Sequence, residues 1–259
     1  MLFAERHGKL GRNGSRAHDR AEDLLTSTAF QLLRYLPLEV GLLAVLRRMR
    51  AVGSDGHVAT EAPAWLMLNT VTAADYTFWP RWAGFGEPDV VVTLSASGVT
   101  VGRLVIEVKL DAGKSGEAKE DTETADAPDP DQLRRYWQGL RTTSDAPALG
   151  VVYLTSHPIP PVDDLTVSVA REPGDWLGWL SWRTVWSVVR ASELLPARDL
   201  ADILAAKGLK CFDGFHSQPW ILPHSPRRYW SAPSAIWFAQ PVRVFPNSAR
   251  FWTSLRGIS

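Results

Sequence analysis

Pro88-Asp89-Val90-Val91-Val92-Thr93-Leu94, the linker Ser95-Ala96-Ser97-Gly98, and Val99-Thr100-Val101-Gly102-Arg103-Leu104-Val105-Ile106-Glu107-Val108-Lys109-Leu110 decide the fold of this chain. Both flanks are rich in β-branched residues. The short stretch of small residues ending in Gly reads as a hairpin turn. With the turn centred near Ser97–Gly98, paired positions sum to about 195 or 196, which sets Asp89 opposite Ile106 or Glu107. Glu107 and Lys109 are two apart on one strand and share a face. One hairpin therefore gathers two carboxylates and an ammonium at the end of a sheet. Hard divalent cations such as Mg²⁺ take oxygen ligands of this kind, and an adjacent Lys can position or deprotonate a water.

Taken singly, Pro-Asp is a common strand entry, and Glu-x-Lys on a strand is commonly a solvated face or a cross-strand ion pair. Here the surroundings argue otherwise. Leu104 through Leu110 is apolar around its charges, and three valines follow Asp89. Charge in so hydrophobic a run is costly unless it is paired or metal-bound. A chance motif on an unrelated α/β protein would leave Asp89 and Glu107 apart.

Outward from the hairpin, Asp19 to about Leu36 reads as a helix stopped by Pro37, and a second helix runs from about Leu38 to Arg50. Ala64–Thr72 alternates weakly as a first strand. After the hairpin, 111–131 carries eight acids and two lysines with almost nothing to bury, the mark of a long mobile acidic loop. Asp131 caps a helix from Gln132 to about Arg141. Leu149–Thr155 is a buried strand, Pro158–Pro161 a loop and Trp179–Trp182 a further short strand. Helices follow at Thr184–Ser192 and Arg198–Ala206, with Gly208 as a C-cap. The order helix, three strands, helix, strand is a mixed α/β core. Residues 1–18 form a basic flexible arm, 19–212 the domain, and 213–259 a Pro/aromatic-rich C-terminal extension packed on it.

The 259 residues carry 28 Lys and Arg against 28 Asp and Glu. That balance is uneven along the chain: nine basic against four acidic residues from Arg6 to Arg50, and seven against one from Lys207 onward. Basic ends around an acidic loop are compatible with a phosphate-binding surface and equally with ordinary solvated charge. The single cysteine, Cys211, excludes an internal disulfide framework and a cysteine-based zinc site. The six histidines lack metal-ligand spacing, and neither glycine–lysine cluster forms a phosphate-binding P-loop. No apolar run spans a membrane, and the Arg-rich start lacks a signal-peptide core, so a cytoplasmic location is expected. The twelve tryptophans are mostly packing, with Trp79, Trp82 and Trp137 as candidates for base stacking.

Pro88-Asp89 followed by Glu107-x-Lys109 resembles the signature of the PD-(D/E)XK nuclease superfamily. Glu22-Asp23-Leu24-Leu25-Thr26 upstream resembles that family's acidic first-helix motif, and Gln132-Leu133-Arg134-Arg135-Tyr136 downstream resembles its Gln-x-x-x-Tyr helix motif. The resemblance covers about residues 19–155, the αβββαβ core of a restriction-endonuclease-like fold: a central mixed sheet flanked by helices. A softer likeness, carried by Leu33-Arg34-Tyr35-Leu36-Pro37 and Lys207-Gly208-Leu209…Phe212-Asp213-Gly214-Phe215, is to prokaryotic defence-associated nucleases.

The resemblance implies Mg²⁺ or Mn²⁺ held by Asp89, Glu107 and the Val108 carbonyl. Glu22 would reach the metal directly or through water, with Asp19 or Asp23 able to serve in its place. Lys109 would orient the water or offset phosphate charge. Gln132 would position the water or Lys109, Tyr136 would contact a phosphate or pack the active-site helix, and Arg134 and Arg135 would contact phosphates or lie on a solvated face. DNA is the implied substrate, in an anti-phage or restriction-like setting, with a homo-oligomer or a partner protein of a defence system completing the assembly. The length and acidity of 111–131 depart from the family's tightest members and suit a lid or a docking segment. The rival readings are a non-catalytic nucleic-acid-binding or scaffold subunit with the same fold, and an RNA nuclease.

Overall fold

The computed structural model describes residues 17–66, 68–110 and 129–211. The chain divides between Phe212 and Asp213. The expected arm up to His18, nearly all of the expected 111–131 loop and the 213–259 extension lie outside the described residues, except that the first helix already begins at Ala17.

In chain order the elements are α1 (Ala17–Arg34), α2 (Leu42–Leu46), β1 (Arg50–Ala51), β2 (Ala73–Phe78), β3 (Val90–Ala96), β4 (Val99–Lys109), α3 (Gln132–Thr142), β5 (Ala148–Thr155), α4 (Val162–Arg171), β6 (Leu177–Ser181), α5 (Trp182–Val189) and α6 (Leu195–Ala206). The six strands make one mixed sheet in the order β1-β6-β5-β4-β3-β2. β2, β3 and β4 pair antiparallel, β4, β5 and β6 pair parallel, and β1 closes the far edge antiparallel.

The sheet is buried on both faces, which is why Val90-Val91-Val92 is a continuous apolar run rather than an alternating one. Val90, Val92, Leu104, Ile106, Val108, Val152 and Leu154 face a core built with residues of α1, α2, α5 and α6. Val91, Val105, Val151, Tyr153 and Trp179 face a second core with Leu133, Tyr136 and Leu140 of α3 and Leu165 and Val169 of α4. An α/β architecture with a six-stranded mixed sheet flanked by helices is thus what the chain adopts.

The β3–β4 hairpin turns through Ser97 and Gly98, both with positive φ (50° and 81°), the pattern of the tight two-residue hairpin turn whose twist matches its strands. Pairing near the turn, Ala96 with Val99, sums to 195. Beyond a register shift at Leu94/Ser95 it sums to 196, with Leu94 opposite Gly102 and Val90 opposite Ile106. Both sums expected from the sequence occur, and a bulge separates them. The β3–β4 ladder ends at Val90, and Asp89, the residue before β3, instead bonds the end of β4 through its side chain, Oδ2 accepting from Val108 N–H.

Three sequence expectations change. Ala64–Thr72 is not a strand; the first long strand is Ala73–Phe78, an edge strand only partly buried. The expected Leu38–Arg50 helix shrinks to Leu42–Leu46, because the chain must straighten at Arg50–Ala51 to pair with β6. The stretch after Pro161 holds a helix, α4, that its Asp, Thr, Ser and Val content conceals. Its buried Leu165, Ser168 and Val169 show that packing makes it.

Candidate active site at the end of the central hairpin

β4 runs to Lys109, whereas β3 starts only at Val90, opposite Ile106. The last residues of β4 therefore overrun their partner, and the N–H groups of Val108 and Leu110 need other acceptors. Pro88 has no N–H and cannot extend the ladder. Two carboxylates fill the gap. Asp89 Oδ2 accepts from Val108 N–H at 2.8 Å, and Glu22 Oε2 accepts from Leu110 N–H at 2.8 Å. Glu22 comes from α1, on the opposite layer from α3, so the site lies where the layers meet at the sheet's end.

Glu107 lies on the α3 face and is 1 % exposed; Lys109, at the strand's end, is 7 % exposed. The Lys109 ammonium bridges Glu107 Oε1 at 2.9 Å and Glu22 Oε1 at 3.3 Å. Burial acts to lower the Lys109 pKa, but the charges of Glu107, Asp89 and Glu22 outweigh it and hold the lysine protonated. Burial, reinforced by the Asp89 charge, pushes Glu107 well above the usual carboxylate range against the pull of Lys109. Burial likewise raises Glu22, with Lys109 and the Leu110 N–H opposing. Both directions have one origin: three carboxylates share a poorly solvated corner with one ammonium.

Within that corner, Glu107 Oε2 is buried and has no hydrogen-bond partner among the described residues. An orphaned anionic oxygen in a desolvated site is costly unless a cation or a proton meets it. The donors are of the oxygen kind that Mg²⁺ or Mn²⁺ takes: a carboxylate oxygen with open lone pairs, with the charge of Asp89 near enough to act on it. Among the described residues no group of three or more His, Cys, Asp and Glu side chains could hold a metal ion.

α3 supports the site from the second layer. Asp131 caps it, its side chain accepting from Arg134 N–H, as the sequence predicts. Gln132 Nε2 donates to Tyr136 Oη at 2.9 Å, and Tyr136 Oη donates to the Glu87 carbonyl at 3.0 Å. Tyr136 is 3 % exposed, and burial holds its hydroxyl neutral. Of the two roles expected for it, contacting a phosphate or packing the helix, it performs the second here, tying α3 to the backbone two residues before Asp89. Gly139 assists: a Cβ there would sit 2.6 Å from Trp82 and 2.9 Å from Phe85, so only Gly lets the 79–88 segment lie this close to the helix. Trp82 is thus a packing residue, and so is Trp79, 6 % exposed; Trp137 stacks on Trp176.

Arg134 and Arg135 both make contacts within the chain. Arg134 pairs with Asp129 at 2.6 Å, and Arg135 donates to the carbonyls of Asp129 and Pro130. They fasten residues 129–131, so the last three positions of the expected mobile loop are held. Sequence reading also missed two neighbours of the site. Tyr153 stands beside Glu107 across the β4–β5 register and donates to Asp164 Oδ2 at 3.3 Å. Ser168 bridges to both oxygens of Asp131 at 3.0 and 3.1 Å. Their signal is faint, a lone Tyr in the apolar Leu149–Thr155 run and a Ser in an unrecognised helix.

Compared with known proteins, the chain matches no family model, no curated protein and no solved structure.

Proposed function

We propose that this chain is a metal-dependent nuclease that hydrolyses DNA phosphodiester bonds in a prokaryotic defence or restriction-like system. The observation that carries the reading is Glu107 Oε2, buried without a hydrogen-bond partner among the described residues, on a carboxylate whose other oxygen pairs with the Lys109 ammonium. Asp89, Glu107 and the Val108 carbonyl would hold Mg²⁺ or Mn²⁺, which when bound supplies Lewis acidity at phosphoryl oxygen and a more acidic water. Lys109, kept protonated by its carboxylate neighbours, donates hydrogen bonds from Nζ to negative charge that grows on the phosphate. Gln132 and Tyr136 fix the approach of the Glu87-Pro88-Asp89 backbone.

A second reading, a non-catalytic nucleic-acid-binding or scaffold subunit, draws on one specific observation: Asp89 and Glu22 each already serve β4 as acceptors for stray N–H groups. RNA in place of DNA would use the same residues.

The test is incubation of the purified full chain with plasmid, linear and single-stranded DNA and with RNA, in Mg²⁺, Mn²⁺ or EDTA. Cleavage is expected with metal, absent in EDTA, and reduced at least about hundredfold in Lys109→Ala. Cleavage that survives both EDTA and Lys109→Ala contradicts the mechanism. Failure to cut any substrate would favour the scaffold.

A further inference from the structure

Resting on the nuclease reading, we infer that Glu22 is a positioning residue that latches the end of β4 and aims Lys109, and is not a metal ligand. Both of its oxygens are engaged: Oε2 by the Leu110 N–H at 2.8 Å, and Oε1 by Lys109 Nζ at 3.3 Å. Glu107 differs in keeping Oε2 without a partner. The latch is rigid from behind. Leu25, Ala29, Phe30 and Leu33 of α1 are at most 3 % exposed, so the helix that carries Glu22 is fixed in the core.

The other end of the same peptide is also held. Ser156 N–H donates to the Lys109 carbonyl at 3.0 Å, and Ser156 Oγ donates to the Leu110 carbonyl. Leu110 is therefore clamped through its N–H by α1 and through its C=O by the chain leaving β5. A Glu22 that swung onto a cation would release both the Leu110 N–H and one of the two carboxylates that orient the Lys109 ammonium. Direct ligation would compete with the two hydrogen bonds that already draw on both Glu22 oxygens.

Amide exchange at Leu110, read by NMR on the full-length chain without substrate, tests this directly. Protection of the Leu110 amide is expected to fall at least about hundredfold in Glu22→Ala and to be largely rescued in Glu22→Gln, which keeps an acceptor oxygen, while Ile106 is unchanged in both. Unaltered Leu110 protection in Glu22→Ala overturns the latch. On titration with Mg²⁺, the Val108 and Glu107 resonances are expected to shift with Leu110 still protected. Leu110 exchange that accelerates over the same Mg²⁺ range shows Glu22 moving to the metal and overturns the inference. In cleavage, Glu22→Gln is expected to lower kcat about tenfold or more at saturating Mg²⁺ while the half-saturating Mg²⁺ stays the same. A raised Mg²⁺ requirement with kcat restored at saturation is the opposite result. Resonances indifferent to Mg²⁺ would contradict the metal-dependent reading and leave the latch to be decided by the metal-free variants.

Discussion

Glu107 keeps its carboxyl in a site 1 % exposed, with one oxygen on Lys109 and the other unmatched. Its pKa is raised in the folded protein, so the native state binds this proton more tightly than the unfolded chain does. Stability from that proton is complete below the unfolded Glu pKa, about 4.3, and is lost as pH rises through the raised folded value. Glu22, raised in the same direction, adds to the same slope. In EDTA, Glu107→Gln is therefore expected to melt near the wild-type temperature at pH 5 and above it at pH 8, with Mg²⁺ reducing the gap. Each tenfold tightening of the native state's hold on the proton is worth about 1.4 kcal/mol, which for a chain of this size is about 3–6 °C. Thermal melts across that range check it; a difference independent of pH contradicts it. At this scale the sequence is informative about Glu107 and Lys109, because the apolar residues around them make an unpaired charge implausible. It says little about Glu22, whose partners Lys109 and Leu110 are 87 and 88 residues away.

Among elements, the decisive feature is a length mismatch: β4 outruns β3, and carboxylates supply the missing acceptors. The Tyr136 hydroxyl keeps Asp89 at that junction by holding the Glu87 carbonyl. Tyr136→Phe leaves that carbonyl without its donor, and about 1–3 kcal/mol of stability is expected to go with it. A slackened Asp89 is expected to lower turnover about tenfold to hundredfold. Denaturant melts and cleavage rates measure the two effects; wild-type values for both would remove the strut. The hairpin itself is legible, since Ser97-Gly98 between β-branched runs leaves few alternatives. Ala64–Thr72 misleads because its alternation of Trp65, Met67 and Asn69 imitates a strand, whereas Trp65 packs against Gly150 of β5. The true β2 begins with Ala73-Ala74-Asp75, weak strand formers that pairing with β3 recruits. α4 is invisible for the same reason in reverse: its Asp, Ser, Thr and Val residues are weak helix formers, and the second core makes them helical.

Across the described residues as a whole, two cores on opposite faces of one sheet hold the hairpin, and the site lies at the sheet's end, with Glu22 contributed by α1 and Gln132 and Tyr136 by α3. The order helix, β3–β4 hairpin, helix, strand follows from periodicity and turn residues, whereas β2 does not. The meeting of Glu22 with Lys109 depends on how the layers stack, which periodicity does not encode. No helix among the described residues is long and apolar enough to cross a membrane. Buried Glu107 and half-buried Asp89 at the hairpin's end are proposed to hold a divalent cation. Mn²⁺ binding to the purified chain, followed by electron paramagnetic resonance, tests it most directly. Saturable binding is expected in the wild type and in Glu22→Gln, and its loss is expected in both Asp89→Asn and Glu107→Gln. Binding that persists unchanged in those two variants, or is absent from the wild type, would contradict the claim.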